Sequence, residues 1–422
     1  MKKICLFCFC AGMLSGCKMQ EPDWYYTDAQ ARELSQLTTE EFDKFAKSEL
    51  IDVRPVIIPR GENLVGKNDY YMWPIATMID DTMVVLYSRG SCHWGAQKSE
   101  ADKNGGIRMI VTSSDGGKTW SKPFDLMSVG SWKKTPFCGF GGGIGSYKGV
   151  VYVALNKGIY KSCDKGKTWK LLTEKSTWDQ ISETLWSAGT RLTFDDTHGM
   201  VFWTTTGFSK NYIDRRDHGA YGTHMVALYS PDFGHTWKIE SQALPEGLRL
   251  SEITPLQFNN KLAFFLRNGL KKTCYGQGYS DTSWFPFSFG ISNIGPVGLV
   301  DTPDIQFNPK TQRIEVAGPH RTGLGDGPQG RMKANLYSMT PEELAAGKTE
   351  WRYDGTLIRY KNLMGKSDGF NLVGSVIDEA RKRRFFHVWG GNGTNSAAIF
   401  QYSISLDTEK VSSYLKDFYI KK

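Results

Sequence analysis

From about Ile51 to Leu406, short segments rich in Val, Ile, Phe, Tyr and Trp alternate with polar residues, and glycine-rich turns separate them. An apolar–polar period of two is typical of β-strands with one buried face. No long stretch with a helical period of 3.6 residues lies between these segments. The pattern therefore predicts an all-β domain of many short strands, for which radial repetition of four-stranded blades is one way to protect the sheet edges.

An eight-residue turn sequence occurs three times in this region, with the shared pattern S-x-D-x-G-x-T-W. The copies are Ser113–Trp120, Ser162–Trp169 and Ser230–Trp237. The Ser and Asp side chains can bind nearby backbone N–H groups, the glycine supplies a positive φ, and the Trp places a large apolar ring at the start of the next strand. Intervals of 49 and 68 residues suit one blade plus loops of variable length.

The octapeptide resembles the Asp-box, or BNR repeat, of the sialidase-like β-propellers. This resemblance implies an all-β, six-bladed β-propeller of the sialidase type, with five or seven blades as the alternatives. In that family the boxes lie on the outer rim and staple turns, and they do not mark an active site. The predicted blades are Tyr70–Lys122, Gly141–Leu171, Gly189–Ile239, Glu252–Phe287, Asp301–Trp351 and Gly369–Leu406, the last completed by an N-terminal strand, Val53–Ile58.

Residues 1–17 have the organisation of a lipoprotein signal peptide. Two lysines precede an apolar run from Ile4 to Leu14, and Leu14-Ser15-Gly16-Cys17 resembles the bacterial lipobox. The resemblance implies lipidation at Cys17 and an outer-membrane anchor, with the protein on the cell surface or facing the periplasm. We interpret residues 18–50 as a polar tether and residues 51–422 as the propeller.

After cleavage at Cys17 four cysteines remain, and none belongs to a C-x-x-C pair, so we expect neither a metal site nor a cofactor. We expect them to be mostly buried free thiols, although an exported protein can also form disulfides. The four are Cys92, Cys138, Cys163 and Cys274.

The formal net charge is +8 and is spread along the chain. A diffuse basic excess favours anionic partners such as acidic glycans, whereas nucleic acid is not expected to meet an exported lipoprotein. The densest basic cluster, Arg381-Lys382-Arg383-Arg384, suits the tip of a hairpin. We expect a monomer.

Glu252 and Arg267 are the best match to the chemistry of the sialidase family. In that family the pocket lies on the propeller axis and contains three arginines that hold the substrate carboxylate, a Tyr–Glu nucleophilic pair and an Asp acid/base. Ser251–Arg267 resembles the family segment in which the catalytic Glu begins one strand and the second Arg ends the next. Two antiparallel strands joined at Asn259-Asn260 would bring both residues to the same end of the sheet.

The fifth blade supplies further candidates for substrate binding. Arg331 stands where the family's third Arg begins a strand, and Arg321 is the second choice. A planar guanidinium can hold a carboxylate through two parallel hydrogen bonds. Asp304 follows the beginning of this blade, so we expect it to face the axial mouth.

Two family residues are missing. Tyr71-Met72-Trp73-Pro74 stands where the family has F-R-I-P, so that Met72 replaces the first Arg. The stretch Asp368–Ser375, which should contain the nucleophilic Tyr, contains no Tyr.

The first blade offers possible substitutes. Arg89 could hold the carboxylate from the neighbouring strand, and Asp102 falls close to the position of the family's acid/base. His93 could serve as general acid or base because an unperturbed imidazole titrates near neutral pH. Trp73 and Trp94 offer flat faces for sugar stacking.

The resemblance implies an exo-acting glycoside hydrolase that removes a terminal, acidic sugar such as sialic acid from a glycan. Asp102 or His93 would be the acid/base, and Glu252 the base or nucleophile. Two alternatives stay open: a uronate-directed lyase or rhamnosidase-type enzyme centred on His93, and a glycan-binding lipoprotein without catalysis.

Overall fold

The structure is a computed structural model, and it describes the following residues: 48–57, 70–90, 107–129, 142–155, 158–173, 191–206, 222–268, 274–294, 299–300, 302–322, 331–359, 372, 374–391 and 397–420. Their strands form a six-bladed β-propeller, as the repeats predict. Within these ranges no helix is both long and apolar enough to cross a bilayer. Cys17 and nearly all of the predicted tether lie outside the described residues.

Each blade is an antiparallel sheet whose strands follow one another from the axis outwards. Blade 1 consists of β2 (Tyr70–Ile79), β3 (Thr82–Gly90), β4 (Ile107–Ser113) and β5 (Phe124–Asp125). Blade 2 consists of β6 (Gly142–Tyr147), β7 (Val150–Leu155), β8 (Gly158–Ser162) and β9 (Lys170–Thr173). Blade 3 consists of β10 (Leu192–Asp195), β11 (Gly199–Thr206), β12 (His224–Ser230) and β13 (Lys238–Ala243). A 3-10 turn, Leu126–Ser128, follows β5.

The innermost strand of blade 5 is in two pieces, both paired with the next strand. Blade 4 consists of β14 (Leu250–Phe258), β15 (Lys261–Asn268), β16 (Tyr275–Ser280) and β17 (Ser288–Ser292). Blade 5 consists of β18 (Leu299–Val300), β19 (Asp304–Asn308), β20 (Arg313–Thr322), β21 (Arg331–Met339) and β22 (Arg352–Arg359). Blade 6 consists of β23 (Val376–Asp378), β24 (Arg383–Gly391), β25 (Ala397–Ser405) and β1 (Ile51–Ile57).

The N-terminal strand completes the last blade, which confirms the predicted ring closure. β1 pairs antiparallel with β25, from Ile51 opposite Ile404 to Ile57 opposite Ile399. A parallel bridge between Tyr70 and Ala397 connects blade 1 directly to blade 6. The two ends of the propeller chain therefore meet in one sheet.

Successive side chains of a strand enter the two interfaces on either side of its blade. In β3, Val85 and Tyr87 pack with blade 6 residues such as Trp389, whereas Val84 and Leu86 pack with residues of blade 2. Because both faces are covered, β3 from Thr82 to Ser88 is buried throughout. The propeller core consists of such interfaces between neighbouring blades.

The Asp-boxes form the expected turns. In the third box, Asp232 Oδ1 accepts hydrogen bonds from Thr236 N at 2.8 Å and from Ser230 Oγ at 2.8 Å, and Asp232 Oδ2 accepts one from Thr236 Oγ1 at 2.7 Å. The first and second boxes repeat these bonds around Asp115 and Asp164. Each box joins the third strand of its blade to a fourth, so blades 1 to 3 extend past the predicted ends.

The glycines of all three boxes also lie against the preceding blade, as the first two show. A Cβ on Gly117 would stand 2.0 Å from Gln401 Oε1 in blade 6, and a Cβ on Gly166 would stand 3.0 Å from Thr112 Cγ2 in blade 1. Both glycines have φ near +80°. The glycine therefore permits the turn and the close contact between blades.

Two helices lie outside the repeated pattern. In blade 5, α1 (Pro341–Ala345) precedes the last strand and begins with a capping box between Thr340 and Glu343. The second helix, α2 (Thr408–Ile420), was not predicted as separate from the propeller. Its buried residues Val411 and Leu415 pack against blades 5 and 6.

The thiols differ from the sequence-based expectation. Cys163 is exposed, Cys274 is partly exposed, and both are free. Cys163 is exposed because it occupies the second position of the second box, on the surface of the turn. Cys92 and Cys138 lie outside the described residues.

Candidate functional site

The innermost strands all begin at one end of the propeller, and the second strands return to it. We call this the site end, and it is marked by Glu252 near the start of β14, Arg267 near the end of β15 and Arg89 near the end of β3. The Asp-boxes connect third to fourth strands and therefore lie at the opposite end, which we call the box end.

Glu252 and Arg267 lie side by side at the site end. They are direct partners in the β14–β15 register, and Arg267 Nη1 donates to Glu252 Oε2 at 3.1 Å. The Glu252 side chain is 9% exposed and that of Arg267 is 27% exposed. A shift in register between Leu250 and Glu252 precedes the pair, and such bulges re-aim side chains at strand ends.

At the site end of blade 1 an apolar cluster takes the place of the missing arginine. Met72 is 4% exposed and packs in the interface between blades 1 and 6. Trp73 belongs to the same cluster and is 7% exposed, with φ at +51° where the register of β2 shifts. The prediction that Trp73 offers a stacking face does not fit this burial. Arg89 is half-buried and lies opposite Tyr71 in the register.

Blade 5 places the backbone of both candidate arginines at the site end. Arg331 begins β21 opposite Thr322, and Arg321 lies opposite Met332. The side chains of Arg331 and Arg321 are outside the described part of the structure. The segment between β3 and β4, with His93, Trp94 and Asp102, lies outside the described residues altogether, so its roles stay predictions.

Below the site end, one arginine crosses the propeller axis. Arg191 stands at the start of blade 3, and its Nη1 donates to the carbonyl oxygens of Pro255 at 3.3 Å and Ile305 at 2.7 Å. Its Nη2 donates to Ser375 O at 2.8 Å and to Asp304 Oδ1 at 2.6 Å. The guanidinium thus connects blade 3 to blades 4, 5 and 6.

Asp304 is the common partner in this group, which contradicts its predicted place in the substrate mouth. Its carboxylate accepts from Arg191, from the backbone N–H groups of Gly374 and Ser375, from the Ser375 hydroxyl and from Arg384. It is fully buried. Both carboxylate oxygens accept hydrogen bonds from donors of the protein, so Asp304 holds the blades together in the core.

Arg384 extends the group into blade 5. Its Nη2 donates to Asp304 Oδ2 at 2.8 Å and its Nη1 to Glu315 Oε2 at 3.3 Å. Burial raises the pKa of Glu315, and the charge of Arg384 partly offsets that effect. We call Arg191, Asp304, Ser375, Arg384 and Glu315 the axial hub.

The sequence did not single out Arg191, and it misplaced Arg384. The prediction placed Arg381, Lys382, Arg383 and Arg384 together at a hairpin tip. In the structure the turn comprises Glu379–Lys382, whereas Arg383 and Arg384 lie on β24, and Arg384 is fully buried. Alternation along β24 was the one available signal, because it directs neighbouring arginines to opposite faces. The partners of Arg191 are 64 to 184 residues away in sequence, so no local pattern could reveal them.

The axial hub lies nearer the box end than the candidate site does. Glu252 precedes Thr254 and Pro255 on β14; the Thr254 hydroxyl donates to Pro303 O at 2.7 Å, and Pro255 O accepts from Arg191. At about 3.3 Å per residue, the hub lies roughly 10 Å below Glu252 along the strand. The hub therefore fixes the strand that carries Glu252.

The pair at the site end provides one carboxylate and one guanidinium, which are the groups needed for acid–base or nucleophilic chemistry and for holding an anionic group. Among the described residues, no group of three or more His, Cys, Asp and Glu side chains could hold a metal ion.

Neither a family model nor a curated protein matches the sequence. Solved structures share the fold over most of the chain. The NanB sialidase of Streptococcus pneumoniae superposes with a TM-score of 0.57 at 11% identity, over 88% of this chain and 73% of that one. A protein of unknown function from Dyadobacter fermentans gives 0.53 at 16% identity, over 84% and 99%. The sialidase of Trypanosoma rangeli gives 0.52 at 12% identity, over 83% and 57%.

The chain is therefore an all-β propeller with six blades and an axial hub of buried ion pairs. More particularly, its fold is that of the sialidase propellers. At these identities the likeness establishes the fold alone.

Proposed function

We propose that this protein is a glycoside hydrolase that removes a terminal, acidic sugar such as sialic acid from glycans. The observation that carries the proposal is the Glu252–Arg267 pair, with its 3.1 Å hydrogen bond at the site end of a sialidase-type propeller. A carboxylate at this position can act as base or nucleophile, as the carboxylates of glycosidases do.

In this proposal the arginines hold the carboxylate of the sugar. Arg267 is partly exposed beside Glu252, and Arg89 is half-buried at the same end of blade 1. Arg331 would act from the start of β21. Asp102 or His93, both in the segment between β3 and β4, would supply the acid/base.

A second candidate, a glycan-binding protein without catalysis, is favoured by one observation. The buried Met72 stands in the core where the family's first arginine would bind substrate. The loss of that arginine, together with the absence of a Tyr from Asp368–Ser375, removes two groups that sialidase chemistry uses. A uronate lyase centred on His93 is a third outcome to be tested.

The test is incubation of the purified protein with a sialylated oligosaccharide and, separately, with a uronate-containing one. Mass spectrometry of the products distinguishes the candidates. Free sialic acid supports the hydrolase, an unsaturated uronate supports the lyase, and retention on immobilised glycan without turnover supports the binding protein. Sialylated glycan that is neither cleaved nor bound would overturn the proposal.

We also propose that Cys17 anchors the protein in the outer membrane. The proposal rests on the lipobox-like Leu14-Ser15-Gly16-Cys17. In cells fed an alkyne fatty acid, the wild type should carry the label and partition with membranes. Cys17→Ser should abolish both, whereas Cys163→Ser, at an exposed thiol, should change neither. An equally labelled Cys17→Ser variant would exclude this anchor.

A further inference from the structure

A cavity of about 310 Å³ lies on the propeller axis on the box-end side of the axial hub. The innermost strands of all six blades line it. Three of its lining residues come after partners of Arg191 along their strands. Gln257 comes two positions after Pro255, Gln306 one after Ile305, and Ile377 two after Ser375. The cavity is therefore separate from the candidate site around Glu252.

The lining offers no free charge. Arg191 is the only ionisable side chain among the described lining residues, and it is bound to Asp304 at 2.6 Å. A charged ligand would lose its hydration without gaining a counter-charge. The electrostatics of the cavity therefore favour a neutral ligand.

Four polar side chains of the lining each use one donor within the protein. The Thr77 hydroxyl donates to Ser146 Oγ, and the Ser146 hydroxyl donates to Met78 O. Gln257 Nε2 donates to Phe194 O, and Gln306 Nε2 donates to Ser375 O.

Acceptor capacity remains. Gln306 Oε1 accepts no hydrogen bond from the described residues, and the hydroxyl oxygens of Thr77 and Ser146 retain lone pairs. The Nε2 groups of Gln257 and Gln306 each have a second N–H as well. The cavity thus suits a ligand whose groups both donate and accept hydrogen bonds. Between these polar atoms lie apolar surfaces from Leu256 and Val376, which suit C–H groups.

The size and the exposure of the lining agree with a small-molecule site. A volume of about 310 Å³ corresponds to roughly ten waters and lies at the lower end of the range for ligand pockets. Near the hub the lining residues Ile144, Leu192 and Val376 are buried, whereas Ser146 and Ile377 nearer the box end are half-buried. Access is therefore from the box end.

From these observations we infer that the axial cavity binds a neutral polyhydroxylated small molecule, of the polyol or sugar class, entering from the box end. The inference does not depend on the proposed function. Hydroxyl groups both donate to the acceptors of the lining and accept from its remaining amide N–H groups, their carbon frame meets the apolar walls, and the absence of charge suits the neutral surroundings.

The test measures binding of myo-inositol to the full-length protein by saturation-transfer NMR, with inorganic phosphate as competitor. We expect saturable millimolar binding that phosphate does not reduce. Ile377→Trp should fill the cavity and weaken binding at least tenfold, whereas Ile239→Trp, at a 53% exposed position on β13, should leave it unchanged. Arg267→Ala should also leave it unchanged, since Arg267 belongs to the site end.

Thr77→Val provides a second measurement in case Ile377→Trp does not fold. Valine keeps the shape of threonine and removes the hydroxyl, so binding should weaken several-fold while thermal unfolding shows an intact fold. The inference is overturned if myo-inositol does not bind, if phosphate displaces it, or if both cavity variants bind as the wild type does.

Discussion

Arg191 and Asp304 are joined across the propeller axis, with Arg191 Nη2 2.6 Å from Asp304 Oδ1 although 113 residues separate them in sequence. The Asp304 side chain is fully buried and that of Arg191 is 14% exposed. Burial lowers the pKa of Arg191, and the charge of Asp304 opposes that effect. The pair holds blade 3 to blade 5 beneath the candidate site, and its carboxylate also binds blade 6.

Replacing Arg191 should destabilise the propeller strongly. Arg191→Met removes one of the two cations beside a buried carboxylate and takes one donor from each of three carbonyl oxygens, of which Ser375 O keeps Gln306 Nε2. We therefore expect a loss of about 3–5 kcal/mol in the free energy of unfolding. Urea denaturation followed by tryptophan fluorescence measures it. Lys148→Met, which breaks the exposed pair with Asp196, should leave the transition nearly unchanged.

The double variant Arg191→Met/Asp304→Asn tests the cause. If buried charge is the main cost, the double variant should be less destabilised than the sum of the single variants. Simple additivity would show that the two side chains do not act as a pair.

Replacing Glu252 should abolish turnover without unfolding the protein. Glu252→Gln keeps the shape but removes the charge, and we expect sialic acid release to fall by at least about 10³-fold, the scale on which positioned acid–base groups act. Glu342→Gln, at an exposed position in the first turn of α1, is the matched control and should retain full activity. Full hydrolysis by Glu252→Gln would show that the site assignment is wrong.

His387 should make the protein sensitive to acid. It is fully buried, and burial lowers the pKa of its ring to about 3, while Gln401 opposes the shift. The pKa of His387 in the folded state lies below the unfolded value of 6.5. As the pH falls, the unfolded state therefore binds a proton at His387 before the folded state does. Stability due to His387 is therefore complete above about pH 6.5 and declines by a few kcal/mol as the pH falls towards 3.

The check is the free energy of unfolding of the wild type and of His387→Leu between pH 7 and 4. The variant should show a shallower decline with acid, whatever its stability at neutral pH. His235→Gln, at an exposed histidine of the third box, should follow the wild type. Parallel curves for wild type and His387→Leu would contradict the prediction.

The C-terminal helix should contribute to the stability of the propeller. Leu415 of α2 is fully buried and would stand 3.1 Å from a Cβ placed on Gly355 of blade 5. Leu415→Ala should cost about 2–5 kcal/mol, the range for large-to-small changes in a core. Thermal unfolding measures it, with Ser413→Ala on the exposed side of the helix as control. An equal melting temperature for both variants would mean that α2 is dispensable.

The features that sequence predicted correctly depend on local geometry. The boxes form because Ser, Asp, Gly and Thr of one octapeptide bind one another. Glu252 and Arg267 meet because a two-residue turn at Asn259-Asn260 sets the register of the strands on either side. The pairing of the N-terminal strand with the last blade was predicted because the sixth blade needed a further strand to complete it.

The features that sequence missed depend on distant parts of the chain. Arg191 is bound to residues of three other blades, and Asp304 is buried because Arg191 and Arg384 neutralise it there. A charged residue near the start of an innermost strand faces either the mouth or the core, and the sequence contains no local signal that separates the two. Trp73 shows the same ambiguity, since its ring lies in the interface between blades.

The pairing of β1 with β25 has a mechanical consequence. A force applied at the N-terminal end of β1 acts on a strand whose residues from Ile51 to Ile57 are paired along β25. A pull along the strand loads these hydrogen bonds together, in shear, so that they resist jointly before any one of them breaks. The segment that closes the ring is thus also the segment that would bear tension between the propeller and whatever holds its N-terminal side.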